Sequence, residues 1–202
     1  DGRVGFTGGV NLADEYINHV QKYGRWKDAA VMLEGEGVRS MTALFLQMWC
    51  ILQEPEFEQF LSQPIPAAAH ARGFVVPYGD CPLDGERVGE MVYMDLLNRA
   101  QKYVHIITPY LILDGELETA LRFAAERGVD VHLILPGVPD KKFAYALAKT
   151  HYKALLSSGV KISEWTPGFT HAKLVVADGV EAVVGTINLD YRSLYHHFEN
   201  AV

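Results

Sequence analysis

Residues 170–190 read THAKLVVADGVEAVVGTINLD, from Thr170 to Asp190. Two apolar runs flank Asp178-Gly179, a strong signal for a two-residue hairpin turn. His171 and Lys173 are two apart, so an extended strand projects both side chains to one face. With Asp178-Gly179 as the turn, Ala177 is expected opposite Val180, Val175 opposite Ala182, Lys173 opposite Val184 and His171 opposite Thr186. The return strand then carries Gly185, Thr186 and Asn188 towards His171 and Lys173. An imidazole, an ammonium, a hydroxyl and a carboxamide gathered at one hairpin end suit an anionic, oxygen-rich substrate such as a phosphodiester.

Upstream of the hairpin, strands and helices alternate. Helical patterns are expected over 90–100, 117–126 and 140–156, with Asp140 as N-cap of the last. Strands are expected over 103–108, 129–135 and 160–165. This alternation predicts an α/β fold with a mixed, largely parallel sheet flanked by helices. Further upstream, residues 38–52 place Val38, Met41, Leu44, Phe45, Met48, Trp49 and Leu52 at helical spacing, which reads as a core-facing helix. Residues 54–85 read as a connection with one short strand over 73–77.

The chain opens with DGRVGFTGGVNLAD, against DGVEAVVGTINLD from Asp178. Asp1, Gly2, Gly8, Asn11 and Leu12 align with Asp178, Gly179, Gly185, Asn188 and Leu189. A repeat at this range implies two similar lobes rather than a solenoid, whose period is about 20–50 residues. The expected division is an N-terminal lobe over 1–72 and a C-terminal lobe over 73–202. The first copy begins at its turn and does not include a strand with its own His and Lys.

Of the 202 residues 49% are apolar, enough for a sizeable core, and the net charge is −7. An acidic chain argues against a general nucleic-acid binder, yet a site on it can be locally positive. Cys50 and Cys81 lack metal-like spacing and read as buried, reduced thiols. The longest apolar run, 41–52, is too short for a membrane span of about 20 residues.

The pattern His171-x-Lys173-x4-Asp178-x6-Gly185-Thr186-x-Asn188 resembles the HKD motif of the phospholipase D superfamily. The opening FTGGVNLADEY, the TPY at Thr108, RGVDVHLILPG, PGFTHAKLVVAD, GTINLDYRS and the closing HFEN are similar to bacterial cardiolipin synthases. The resemblance implies a two-lobed phospholipase D-like α/β sandwich. It also implies a phosphatidyltransferase that joins two phosphatidylglycerol molecules into cardiolipin and glycerol through a phosphohistidine. Another phosphodiester substrate, cut by a phospholipase or a nuclease, is the alternative. No metal or organic cofactor is implied. The partners implied are a phospholipid substrate and a membrane surface, with no nucleic acid. The implied location is a bacterial cell membrane, reached through N-terminal segments of a longer protein.

Residue by residue, the resemblance makes His171 one of two catalytic histidines and Lys173 a phosphate ligand. Asn188 and Asn11 become phosphate-side donors, with Thr186 beside them. Glu199 resembles a carboxylate that orients a catalytic histidine, and Tyr110 lines the pocket from a strand end. The motif also counts Asp178 among its catalytic members, although the hairpin places it at the turn, where an Asp supports the bend. His105 and His132 are expected as core residues, and His196-His197 lacks a third metal ligand. A lone monomer of this chain is expected to be inactive for want of a second His and Lys. A homodimer that joins two His171 hairpins is the arrangement that would restore them.

Overall fold

The computed structural model describes residues 2–53, 57–65 and 72–202. Asp1 of the shorter repeat copy, and residues 54–56 and 66–71 of the expected connection and lobe boundary, lie outside the described residues. From the N-terminus, β1 (Val4–Gly8), β2 (Arg25–Lys27) and β3 (Ala30–Glu34) lead to α1 (Gly37–Trp49), which tightens into a 3-10 turn at Cys50–Leu52. A short α2 (Phe57–Leu61) and β4 (Tyr78–Asp80) follow. Then come α3 (Val88–Arg99), β5 (Tyr103–Ile107), β6 (Leu111–Ile112), α4 (Gly115–Glu126), β7 (Asp130–Pro136), α5 (Lys142–Ser157) and β8 (Lys161–Trp165). The chain closes with β9 (Gly168–Thr170), β10 (Leu174–Ala177), β11 (Glu181–Val184), β12 (Leu189–Asp190), α6 (Tyr191–Tyr195) and β13 (Glu199–Ala201).

The main sheet is mixed, in the order β11-β10-β5-β7-β8. Strands β5, β7 and β8 run parallel, while β10 is antiparallel to both β5 and β11. Parallel neighbours need helical crossovers, and α4 and α5 supply them. Strict alternation along β5 and β7 buries Val104, Ile106, Val131, Leu133 and Leu135 against α3, α4 and α5. Leu117, Leu121 and Leu155 on those helices are fully buried, each stabilising the fold by about 1.5–3 kcal/mol. The opposite phase of the same strands puts His105 and His132 on the other face, where both are only half-buried. They are therefore not core residues: His105 stands 3.7 Å from Asp130 Oδ2, and His132 Nε2 pairs with Ser163 Oγ at 2.8 Å.

Four other expectations need correction. Helix α1 buries Val38 and Leu46 alone, while Phe45, Met48, Trp49 and Leu52 of the expected stripe are exposed. Helical spacing reports an apolar face but not whether another element covers it. The strand expected over 73–77 forms later, as β4, where it pairs with β13. Asp140 does not cap α5, whose N-cap is Lys141 without a side-chain bond. Its carboxylate accepts from Tyr110 Oη at 2.7 Å instead. Cys50 and Cys81 are free and half-buried.

The hairpin forms, with its register shifted by one. Ala177 pairs with Glu181 and Leu174 with Val184, so Lys173 comes opposite Gly185, whose N–H donates to Lys173 O at 3.3 Å. Asp178 (φ 55°) and Gly179 (φ 72°) both adopt the left-handed conformation of a tight turn. Val180 N donates back to Ala177 O, and Val180 is then a surplus, exposed residue before the ladder resumes. No described helix is long and apolar enough to cross a membrane.

Candidate active site

A seam between the two ends of the chain builds the site. Strands β2 and β9 pair in parallel, Trp26 opposite Phe169 and Lys27 opposite Thr170. The ladder runs one step further, because His171 N donates to Lys27 O at 2.7 Å. His171 is thereby set beside Asp28, the residue after Lys27. Asp28 Oδ2 lies 3.1 Å from His171 Nδ1, and Gly9 O lies 2.9 Å from the same nitrogen. Both oxygens are acceptors, so a proton on Nδ1 faces them, in the neutral ring and in the imidazolium alike. The side chains of Asp28 and His171 are 5% and 14% exposed. Trp26, Tyr16 and Phe169 surround the imidazole with ring centroids 5.4–6.0 Å away. This aromatic collar excludes water and strengthens the carboxylate–imidazole contact.

Gly9 permits the close approach. A Cβ there would fall 2.2 Å from Asp28 Oδ1 and 2.6 Å from His171 O. Asp28 is anchored through Oδ1, which accepts from Ala29 N at 2.8 Å.

Lys173 is buried, with only 4% of its surface exposed. Its Nζ donates to His171 O at 2.6 Å and stands 2.9 and 3.0 Å from the two ring nitrogens. An atom so nearly equidistant from both cannot lie along both in-plane lone pairs, so the ammonium sits over the ring face. Burial pulls its pKa down to about 8, against the opposing charges of Asp28, Glu199, Asp190 and Asp140. The Lys173 charge is thus poised near neutral pH, and an arriving phosphate would restore it.

An open cleft of about 410 Å³ adjoins His171 and is lined by Asn11, Asn188, Tyr110 and Asp140, among others. Asn11 Nδ2 donates to Tyr16 Oη at 2.8 Å. Asn188 Nδ2 donates to Ser193 Oγ at 3.0 Å, while its Oδ1 is buried without a partner among the described residues. Tyr110 is held by Asp140, and Lys141 Nζ lies 4.8 Å from its ring centre. His171, Lys173, Asn11, Asn188 and Tyr110 therefore gather at one place.

Thr186, Glu199 and Asp178 do not line that cleft. Thr186 Oγ1 donates to Glu199 Oε2, and Asn200 N donates to Thr186 Oγ1 at 3.0 Å. Glu199 Oε1 faces His197 Nδ1 at 3.3 Å and not His171. Burial raises the Glu199 pKa against the hydroxyl of Thr186 that supports its charge. Asp178 spends both oxygens at the far end of β10, accepting from the backbone N–H groups of Gln101, Lys102 and Tyr103 at 2.8–2.9 Å. Those three donors hold its carboxyl below the usual range. Its bonds fasten the turn to the start of β5 and reach no group of the cleft.

Asp28 is the site residue that the sequence reading missed. The repeat contained the signal. Gly9 N donates to Ala29 O as Thr186 N donates to Asn200 O, and Gly8 opposes Ala30 as Gly185 opposes Ala201. The ladder makes Asp28-Ala29-Ala30-Val31 the counterpart of Glu199-Asn200-Ala201-Val202. Asp28 thus stands in the N-terminal part where Glu199 stands in the C-terminal part.

Comparison with known proteins gives this geometry a setting. A family model described as cardiolipin synthase, phospholipase D-like domain, matches residues 93–202. An uncharacterised protein of Streptococcus mutans is 62% identical over 202 residues, all of this chain and 44% of that protein. The cardiolipin synthase of Geobacillus thermodenitrificans is 35% identical over 98% of this chain and 40% of its own length. The chain thus spans less than half the length of these curated relatives. Among solved structures, the phosphatidylserine synthase of Haemophilus influenzae superposes with a TM-score of 0.66 at 17% identity. That match covers 99% of this chain and 55% of the other, and it shows a shared fold.

Proposed function

The chain belongs to the cardiolipin synthase family of phospholipase D-like domains, and from that premise we propose that it carries one motif of a phosphatidyl-transfer site. The observation that carries the reading is His171 Nδ1 held at 3.1 Å by the buried Asp28, with Lys173 Nζ over the same ring. A carboxylate on Nδ1 fixes the tautomer and stabilises the imidazolium, so Nε2 can pass a proton to and from an oxygen in the cleft.

In this proposal the histidine of a second motif copy attacks the phosphorus of phosphatidylglycerol. The bond from phosphorus to the glycerol oxygen breaks. His171, entering this step as the imidazolium that Asp28 stabilises, gives its Nε2 proton to that oxygen and becomes neutral. His171 then takes the proton of a hydroxyl on a second phosphatidylglycerol. The freed oxygen displaces the histidine from phosphorus and yields cardiolipin. Splitting one displacement into two is covalent catalysis. Lys173, Asn188 and Asn11 offset charge on the phosphoryl oxygens. Glu199, the ladder counterpart of Asp28, is assigned to the second histidine.

The test is thin-layer chromatography of phosphatidylglycerol vesicles incubated with a protein that contains this chain within the relatives' full length. Cardiolipin and glycerol are expected, and both should vanish with His171→Ala. Phosphatidic acid in their place, or cleaved DNA, would overturn the synthase reading and leave a phospholipase or nuclease.

A further inference from the structure

A second polar cluster lies outside the cleft and takes no part in the reaction proposed above. Glu90 in the first turn of α3, Asp114 at the N-cap of α4 and Glu116 in the first turn of α4 bring one carboxylate oxygen each within 4.8 Å of one another. Asp114 and Glu116 alone would be ordinary. Acidic residues favour the positive end of a helix, and Asp114 Oδ1 accepts from Leu117 N at 2.8 Å as a cap should.

Glu90 does not fit that account. It comes from a different helix and is only 3% exposed. Its Oε2 takes Arg87 Nη1 at 3.2 Å, but its Oε1 is buried with no hydrogen-bond partner among the described residues. An unpaired buried oxygen on a carboxylate that belongs to such a cluster is costly and calls for a positive partner.

We propose that Glu90, Asp114 and Glu116 form a binding site for one hard divalent cation of the size of calcium. Calcium takes oxygen ligands at about 2.3–2.6 Å, so two oxygens on opposite sides of one ion stand about 4.6–5.2 Å apart. The spacing of the three carboxylates suits that span. When all three carboxylates are ionised, the single guanidinium of Arg87 leaves two negative charges, which one divalent ion neutralises. Glu116 is exposed and gives the ion a route in from solvent. The wall of the site is fixed: Tyr195 Oη donates to Asp114 Oδ2 at 2.5 Å and accepts from Arg87 Nη1 at 3.0 Å. Tyr195 ends α6, which also carries Arg192 and Ser193 into the cleft wall. An ion here would tie α3, α4 and α6 together behind the reaction cleft.

The competing partner for Glu90 is a proton shared with Asp114. Burial, and then the neighbouring Asp114, push the Glu90 pKa up to about 7. The experiment must therefore separate cation from proton. Calcium chloride is titrated calorimetrically into the chelator-stripped chain at pH 8, with manganese followed in parallel by electron paramagnetic resonance. One ion per chain is expected, together with a higher melting temperature that EDTA reverses. Glu116→Gln, an exposed change that leaves the fold intact, should weaken binding about tenfold or more. Glu90→Gln should abolish it while circular dichroism remains native. No uptake at millimolar calcium would overturn the proposal, and so would uptake that survives both substitutions. A Glu90 carboxyl that stays protonated in calcium, read by infrared spectroscopy, would assign the site to a proton instead.

Discussion

Asp28 and His171 stand 143 residues apart in sequence and meet at 3.1 Å, carboxylate oxygen to ring nitrogen. Neither end of the chain makes this contact alone. The β2–β9 pairing brings Lys27 beside Thr170, and the next residue on each strand is the functional one. The site thus depends on the seam between the two ends, and anything that opens the seam separates the pair.

Asp28→Asn tests the pair. The carboxamide keeps the shape and can still accept from Ala29 N, but it no longer stabilises an imidazolium. Turnover should fall by about two orders of magnitude or more, the range for a positioned proton-transfer group. KM should change little, because Asp28 does not open into the cleft. Nitrogen chemical shifts of His171 should show the Nδ1–H tautomer in the native protein and a mixture in the variant. A variant with native turnover would remove Asp28 from the mechanism.

The buried Lys173 sets a pH dependence. Its pKa is lowered to about 8 in the folded chain, chiefly by burial, from about 10.4 in an unfolded one. Between these values the unfolded state binds the extra proton, so this group makes stability rise with pH over that window. Activity should run the other way. As pH rises through about 8 the free site loses the ammonium that meets the phosphate, and kcat/KM should decline. Lys173→Arg, whose charge persists, should lower the maximum and remove that descending limb. A limb unchanged in the arginine variant would assign it to another group.

Much of this architecture is readable from the residues. Alternation in 103–107 and 130–136 gives strands of the right phase, and the helices between them follow their apolar spacing. The HxK pair is legible because a period of two is a property of any strand. Contacts made at a distance are not legible in that way. The one-residue shift of the hairpin arises because Val180 is left outside the ladder, and no local preference marks it. Asp140 looks like a helix cap until Tyr110, thirty residues earlier in the chain, takes its carboxylate. Phe45, Met48 and Trp49 have the spacing of a core face, yet burial depends on a neighbour that periodicity does not see. Asp28 was within reach, through the likeness of Asp-Ala-Ala-Val to Glu-Asn-Ala-Val, but two of four identities is a weak signal without the ladder.

Gly9→Ala should damage the site without touching a catalytic group. The new methyl would arrive 2.2 Å from Asp28 Oδ1 and 2.6 Å from the carbonyl of His171. The neighbour on one side is backbone, so Asp28 must give way. Overpacking of this kind costs about 1–3 kcal/mol, and chemical denaturation should show a loss in that range. Turnover should fall along with it, since the displaced carboxylate is the one on Nδ1. A loss of stability with full activity per folded molecule would mean that the seam relaxes elsewhere.

Asp178→Asn separates the two ends of the motif. Asparagine tolerates the left-handed backbone that position 178 adopts, so the substitution removes charge and leaves the turn. The carboxylate accepts three backbone N–H bonds, and its pKa is lowered by them. A depressed folded pKa contributes stability that is present above the unfolded value of about 3.9 and lost as pH falls through the folded one. The variant should therefore melt at a lower temperature than the native chain at neutral pH, and the gap should close in acid. Its kcat and KM per folded molecule should stay native, because no bond of Asp178 reaches the cleft. Native melting with a lost kcat would reverse the assignment and return Asp178 to the reaction.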